Sequence, residues 1–378
     1  MSDRLPAADA RWIAAARKLL PRWWRSCRRD MPWRRTADPY AIWVSEVMLQ
    51  QTQVATVRSY YRRFLKRFPT IGALARAPLE AVLKVWQGLG YYGRARNMHA
   101  AAAVVSQQFG GRLPRTAAEL RRLPGVGRYT AAAVASIAFG ADEAVLDGNV
   151  IRVLARGFAV RGDVGKSATQ RRLWALASAL VPPGRAGLFN QAMMDLGATV
   201  CTPRRPQCGS CPLRTICRAH RMGKEEDFPR KAPRRPVPHV DMGTAVTWRG
   251  GRVLIARRKA RGLLGGLWEF PGGTVAAGQT PGRAARRAMA EQLGIRIRLT
   301  EPLATIHHAY SHFRLTLHVF GGRYVAGRCR AIGCEAFRWV RPAELDDYPF
   351  SVAHLKILTA LRGTVAGGRA KSYRGKNV

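Results

Sequence analysis

Acidic residues are scarce. The chain has 23 Asp and Glu against 64 Lys and Arg in 378 residues, a formal net charge of +41. That shortage excludes halophile-like and acid-tailed proteins, and a surplus spread over the whole length points to a polyanionic partner. Arginine also occurs where no ligand is expected, so charge alone does not name that partner. Long apolar runs are missing as well. The longest candidates, such as 131–139, are Ala-rich and fall far short of the ~18 apolar residues of a membrane span. Near the start, Arg4, Asp9, Arg11 and Arg17 interrupt the apolar residues, which excludes a secretory core segment. Trp12, Ile13, Ala16, Leu19, Leu20, Trp23 and Trp24 recur there at helical spacing, so a packed helix is expected rather than an Arg-rich transit peptide. Cysteine is sparse and odd in number: seven, four of them between Cys201 and Cys217. With no export signal, that distribution argues against a disulfide framework and for a metal site.

What is present is ordinary for a globular protein, 47% apolar and 23% charged, but too long for one core, so two or three domains are expected. Residues 1–226 read as all-helical. Asp38 as N-cap and Pro39 as first helical residue open one helix through Met48. Further helices are expected over 78–87, 94–109, 117–122, 130–139, 148–158, 168–180 and 188–200, punctuated by Pro and Gly. The segment 227–238, with Pro229, Pro233, Pro236 and Pro238 among basic residues, reads as an extended linker. Beyond it, 239–364 reads as α+β, with strands over 244–248, 253–256, 305–308, 315–320 and 336–340 and a helix over 281–293. The basic tail 365–378 is expected to be disordered.

Cys201, Cys208, Cys211 and Cys217 form C-x6-C-x2-C-x5-C, compact enough to enclose a single Zn²⁺ or a cubane cluster; spacing does not decide between them. The other thiols, Cys27, Cys329 and Cys334, read as incidental. Arg204, Arg205, Arg214 and Arg218 ride on the same loop and are placed to meet phosphates. Leu123-Pro124-Gly125-Val126-Gly127 joins two helices and offers backbone N–H groups at a helix start, either a phosphate cradle or an ordinary helix–helix turn. Asp147 sits where a helix begins. A plain N-cap explains it, and so does a carboxylate kept ionised to face a developing sugar cation. Glu46 stands alone in the uncharged stretch from Trp43 to Gln53; apolar surroundings would raise its pKa and make it a proton donor, whereas on a solvated face it would do nothing.

In this order and spacing, the motifs resemble the helix-hairpin-helix DNA glycosylases of the endonuclease III and MutY type, over roughly residues 20 to 360. The resemblance implies a six-helix part over about 33–140, a cluster part from 1–32 and 141–226, and one [4Fe–4S] cluster on the four cysteines. It implies removal of adenine mispaired with 8-oxoguanine or guanine in double-stranded DNA: Glu46 protonates the departing base, Asp147 stabilises the sugar cation, and Tyr129 and Asn149 support them. Bifunctional relatives carry Lys at the position of Tyr129, and Tyr cannot form an imine, so a monofunctional hydrolytic glycosylase is expected. Gln51 and Tyr91 match the intercalating residues. Arg29, Trp33, Arg34, Leu49 and Gln191 match positions around the adenine, although the two arginines also suit phosphate. Gly125 and Gly127 match the hairpin that holds the DNA backbone.

Residues 265–273 (GGLWEFPGG) resemble the opening of a Nudix fold. Its hydrolytic pattern then fails: Gln279, Ala288 and Gln292 replace three acids, and of the charged positions Arg287 and Glu291 remain. Mg²⁺ needs several oxygen ligands, so hydrolysis there is not expected. The implied role is recognition of 8-oxoguanine, with Tyr310-Ser311-His312 in place of a Phe-Ser-His loop. The alternatives are a bifunctional pyrimidine-lesion glycosylase/lyase, a non-catalytic iron–sulfur DNA-binding protein, and a Nudix pyrophosphatase. A cytoplasmic, nucleoid-associated monomer with no membrane partner is expected.

Overall fold

The structure is a computed structural model that describes residues 7–233 and 236–366. These form two compact units, 7–75 with 100–233 and 76–99 with 236–366. Residues 76–99 lie inside the stretch expected as one helical domain, yet they pack with the sheet-bearing unit. The reason is polar and specific. Glu80 accepts from the Trp268 indole at 2.5 Å, the Tyr92 hydroxyl donates to the Phe350 carbonyl at 3.1 Å, and Arg96 donates to the Gly265 carbonyl at 2.7 Å.

The helices in chain order are α1 (Ala7–Cys27), α2 (Pro39–Leu49), α3 (Val54–Arg67), α4 (Ile71–Arg76), α5 (Leu79–Trp86), α6 (Gly93–Gln108), α7 (Ala117–Leu120), α8 (Arg128–Phe139), α9 (Gly148–Gly157), α10 (Ser167–Leu180), α11 (Ala186–Thr199) and the short α12 (Arg218–Arg221). The Asp38 carboxylate caps α2, accepting from Tyr40 N at 3.0 Å and Ala41 N at 3.3 Å. Every residue from Tyr40 to Met48 is buried, so α2 is a central helix and its lack of charge is a consequence. α1 buries Trp12, Ala16, Leu20 and Trp24, one per turn, into a core shared with α8 to α11. α3 was absent from the sequence reading; its buried stripe, Val57, Tyr61 and Phe64, is hidden among five basic residues.

The second unit is built on a mixed sheet of β1 (His239–Arg249), β2 (Arg252–Arg257), β3 (Trp268–Glu269), β4 (Gly272–Thr274), β5 (Arg296–Ala309), β6 (Arg314–Ala326) and β7 (Ala336–Val340). Strand order is β3-β2-β1-β6-β5, with β4 on β1 and β7 on β2. β1 and β6 run parallel, Val240 opposite Leu315 and Met242 opposite Leu317. α13 (Pro281–Leu293) covers one face through Ala285, Met289 and Leu293; α14 (Val352–Ala366) covers the other through Ala353, Ile357 and Leu361. Coverage on both faces explains why β2 is buried without alternation. β1, β5 and β6 extend well beyond the runs legible in sequence. The tail expected to be disordered from residue 365 begins inside α14, which runs to Ala366; the rest of it, 367–378, lies outside the described residues.

Candidate active site

A cavity of about 1130 Å³ opens in the first unit. Glu46, Asp147, Tyr129 and Asn149 all line it, together with Arg29, Trp33, Arg34, Leu49, Gln51, Gln191, Gly125 and Gly127. Glu46 comes from the middle of α2 and is only 5% exposed. Its Oε2 accepts from the Tyr129 hydroxyl at 2.9 Å. Burial raises its pKa to about 7; the Asp147 charge adds to the rise, while the Tyr129 bond and Arg34 oppose it. A carboxylic acid near half-protonation at neutral pH is a competent proton donor.

Asp147 caps α9. Its Oδ1 accepts from Val150 N at 2.7 Å and its Oδ2 from Asn149 Nδ2 at 2.9 Å. The helix start is expected to keep this acid ionised, and its bonds act in that direction. Burial pushes its pKa up, and the bonds from Val150 and Asn149 and the charge of Arg152 only partly offset the rise. Asn149 in turn accepts from Arg152 Nη2 at 2.9 Å, and Arg152 also donates to the carbonyls of Gly197 and Cys201, both at 2.6 Å. The close approach of α11 to α9 requires glycine at 197: a Cβ there would lie 2.6 Å from that of Asn149.

The hairpin between α7 and α8 turns at Gly125 with φ +74°, and Gly127 is the N-cap of α8. Gln51 is exposed at φ +57°. The Gln191 amide donates back to the Gly187 carbonyl at 3.1 Å. Arg29 and Arg34 share one buried carboxylate. Asp195, buried on α11, accepts from Arg29 at 2.5 and 2.7 Å, from Arg34 at 2.6 Å and from the Trp24 indole at 2.8 Å. Sequence reasoning missed Asp195, although a lone acid in an apolar helix is the signal that picked out Glu46.

Tyr91, Tyr310, Ser311 and His312 are absent from this cavity. They line another, of about 310 Å³, in the second unit. Tyr91 is 43% exposed at φ +48°, with the Arg94 guanidinium 5.3 Å from its ring. Tyr310 stacks on Phe313, with centroids 4.6 Å apart. The Nudix positions hold no acid cluster. Gln279 accepts from Arg287 at 2.7 Å, Gln292 donates to the Gly272 carbonyl at 2.8 Å, and Glu291 lies 3.7 Å from Arg287.

Cys201, Cys208, Cys211 and Cys217 converge on one small cavity. Burial, followed by Glu225 and then the neighbouring thiols, pushes Cys208 up to about 11; burial and the other three cysteines push Cys211 up to about 12. Cys208, Cys211 and Cys217, whose ionisation burial and their sulfur neighbours disfavour, together with Cys201 fit a site completed by a strongly cationic centre. Arg156, 2% exposed, donates to Cys201 Sγ at 3.3 Å and to the carbonyls of Thr202 and Pro203. Arg218 on this loop pairs with the buried Asp9 at 2.5 Å.

Residues 44–179 match the HhH-GPD superfamily of base excision DNA repair proteins, 201–217 the iron–sulfur binding domain of endonuclease III, and 243–360 the NUDIX domain. The adenine DNA glycosylase of Homo sapiens is 38% identical, covering 95% of this chain and 76% of the human protein. That of Schizosaccharomyces pombe is 32% identical, covering 81% and 77%. A solved thermostable thymine-DNA glycosylase has a TM-score of 0.52 and 32% identity, over 57% of this chain and 99% of its own. The protein carries one [4Fe–4S] cluster. Relatives of one activity match it along nearly its whole length, and the chain belongs to the adenine DNA glycosylase family.

Proposed function

We propose that the protein hydrolyses the N-glycosidic bond of adenine opposite 8-oxoguanine or guanine in duplex DNA, with no lyase step. The observation that carries this is Glu46, buried with its pKa near neutrality beside Asp147 in one cavity. Neutral Glu46 gives its proton to a ring nitrogen of the extruded adenine. The bond from that base to C1′ breaks, and its electron pair leaves with the purine. The Asp147 carboxylate, steadied by Asn149 and Val150, stabilises the oxocarbenium ion. Water adds at C1′ and returns a proton to Glu46. Tyr129 has no amine, so no Schiff base forms and the strand stays intact.

Extrusion costs a few kcal/mol, which Gln51 and Tyr91 offset by filling the vacated step. Trp33, Leu49 and Gln191 enclose the adenine, and Asp195 holds Arg29 and Arg34 beside it. Gly125 and Gly127 present backbone N–H groups to a phosphate. Tyr310, Ser311 and His312 read the opposing oxidised purine. The cluster serves as a structural staple for the loop 201–217. In this reading the glycosylase domain spans 1–226, the linker 227–238 and the recognition domain 239–364. The protein works as a nucleoid-associated monomer in the cytoplasm. Among the described residues no helix is long and apolar enough to cross a membrane.

The test is a duplex with adenine opposite 8-oxoguanine, incubated with the protein and then treated with alkali. Free adenine and an alkali-dependent break at its position are expected. No release, or a break without alkali, would overturn the proposal.

A further inference from the structure

The loop 87–92 joins α5 to α6 and carries Tyr91. Its backbone takes a positive φ at Gly88 (+95°), Gly90 (+76°) and Tyr91 (+48°). Glycine adopts that region freely, whereas Tyr91, with a Cβ, is strained there. A chain bent in this way cannot pair its carbonyls in a helix or a strand, so other donors must serve them. The Trp86 indole donates to the Gly90 carbonyl at 3.0 Å, and the Gly88 N–H donates to the Tyr92 hydroxyl at 3.1 Å. Arg94 completes the set. Its Nη2 donates to the Gly90 carbonyl at 3.2 Å and to the Leu89 carbonyl at 3.4 Å.

Arg94 is an unexpected place for a cation. It lies in the first turn of α6, where the helix dipole disfavours positive charge. Burial disfavours the charge as well and pushes its pKa down to about 10, which still leaves it a cation at neutral pH. Its contacts offset both effects. Besides the two carbonyls, the guanidinium lies 5.3 Å from the ring centroid of Trp86 and 5.3 Å from that of Tyr91, within cation–π range of each. Trp86 is fully buried and therefore fixed, while Tyr91 is exposed. One guanidinium thus ties the exposed ring to an anchored one. Among the described residues no other ring stacks on Tyr91 and no hydrogen bond engages its hydroxyl. The neighbouring cation, Arg96, donates instead to the carbonyls of Gly265 and Gly262.

We propose that Arg94 is a positioning residue for the wedge: it holds the Tyr91 ring in the pose that splits a base step, and it acts on adenine release only through Tyr91. This rests on the reading of Tyr91 as an intercalating residue. A ring ordered before the duplex arrives loses little freedom on binding, so more of its stacking energy goes into extruding the base.

Place 2-aminopurine beside the 8-oxoguanine of a mispaired duplex. Follow its fluorescence on adding the cluster-loaded full-length protein, and measure single-turnover adenine release on the same duplex. The parent should unstack the reporter and brighten it, and Tyr91→Ala should lose much of that signal. Arg94→Lys keeps the charge without the planar fork. It should lose the brightening and slow adenine release by about tenfold. In the Tyr91→Ala background the same substitution should change release by less than about twofold, because two residues acting as one unit are not additive. Arg94→Gln is a milder change, with an amide donor for the carbonyls and no charge for the ring, and it should also lose the brightening. Melting temperatures report folding, and Arg94→Gln decides the matter if Arg94→Lys does not fold. Parent-like brightening in either Arg94 variant would overturn the proposal. So would a loss of release in Arg94→Lys that persists undiminished without Tyr91, the mark of a general effect on the fold. If Tyr91→Ala changes neither signal, the intercalation reading falls and this proposal with it. A parent that brightens the reporter but releases no adenine would refute the glycosylase reading alone, and the fluorescence would still decide the role of Arg94.

Discussion

The Tyr129 hydroxyl donates to Glu46 Oε2 at 2.9 Å, across 83 positions of sequence. That bond favours the ionised acid, whereas burial and Asp147 favour the neutral one, and the balance falls at about pH 7. Near neutrality the same group can deliver a proton to a leaving purine and take one back from water.

This balance sets the pH dependence of excision. The proton donor must be neutral, so the single-turnover rate should fall as pH rises through about 7, approaching tenfold per pH unit. Tyr129→Phe removes an interaction that lowers the Glu46 pKa. The falling limb should therefore move to higher pH, even if the maximum rate is reduced. Rate–pH profiles of the two proteins check this; a limb that stays in place or moves down would contradict it.

The raised pKa also carries a stability consequence. Glu46 titrates near 4.5 when unfolded and near 7 when folded, so the native state binds more protons and loses stability as pH rises across that window. Glu46→Gln removes the penalty. At pH 8 it should be more stable than the parent by up to about 3 kcal/mol, and below pH 4 the difference should vanish. Denaturant melts at the two pH values measure it. A variant less stable at pH 8 would show that the acid is not strained by burial.

Asp195 has a side chain 2% exposed and is held by two guanidinium groups. Asp195→Asn leaves Arg29 and Arg34 without their counter-charge and should cost about 3 to 5 kcal/mol, since breaking a buried pair strands the remaining charges. Adenine release should drop as the two guanidinium groups lose the carboxylate that holds them beside the cavity. Melting temperature and single-turnover profiles report the two effects separately.

The metal centre is tested by colour and content. Anaerobically purified protein should show a broad shoulder near the edge of the visible range and contain iron. Cys211→Ser, at a half-buried thiol lining the cluster cavity, should lose both and weaken duplex binding. Colourless protein with bound zinc would contradict the assignment.

Local signals were legible wherever one short stretch carried them. Asp38-Pro39 announced the start of α2, and the solitary Glu46 announced a buried acid. The four cysteines announced a metal site. Partners far apart in sequence left no local mark. Asp195 meets Arg29 across 166 positions, and Trp268 reaches Glu80 across 188, so neither the arginine clamp nor the placement of 76–99 was visible. In β5, register shifts between Leu299 and Ala304 break the alternation, and only its end read as a strand. Asp147 shows a different limit. The helix start was correctly located, but its favourable bonds are outweighed by desolvation that only the packed cavity reveals.

The central claim is that one buried acid delivers the proton that releases adenine. Its most direct measurement is the single-turnover rate of adenine release by Glu46→Gln on a duplex with adenine opposite 8-oxoguanine, beside the affinity for the same duplex. Gln keeps the shape and cannot give up a proton, so the rate should fall by about 10² to 10⁴ with affinity unchanged. A variant that releases adenine within about tenfold of the parent would contradict the account.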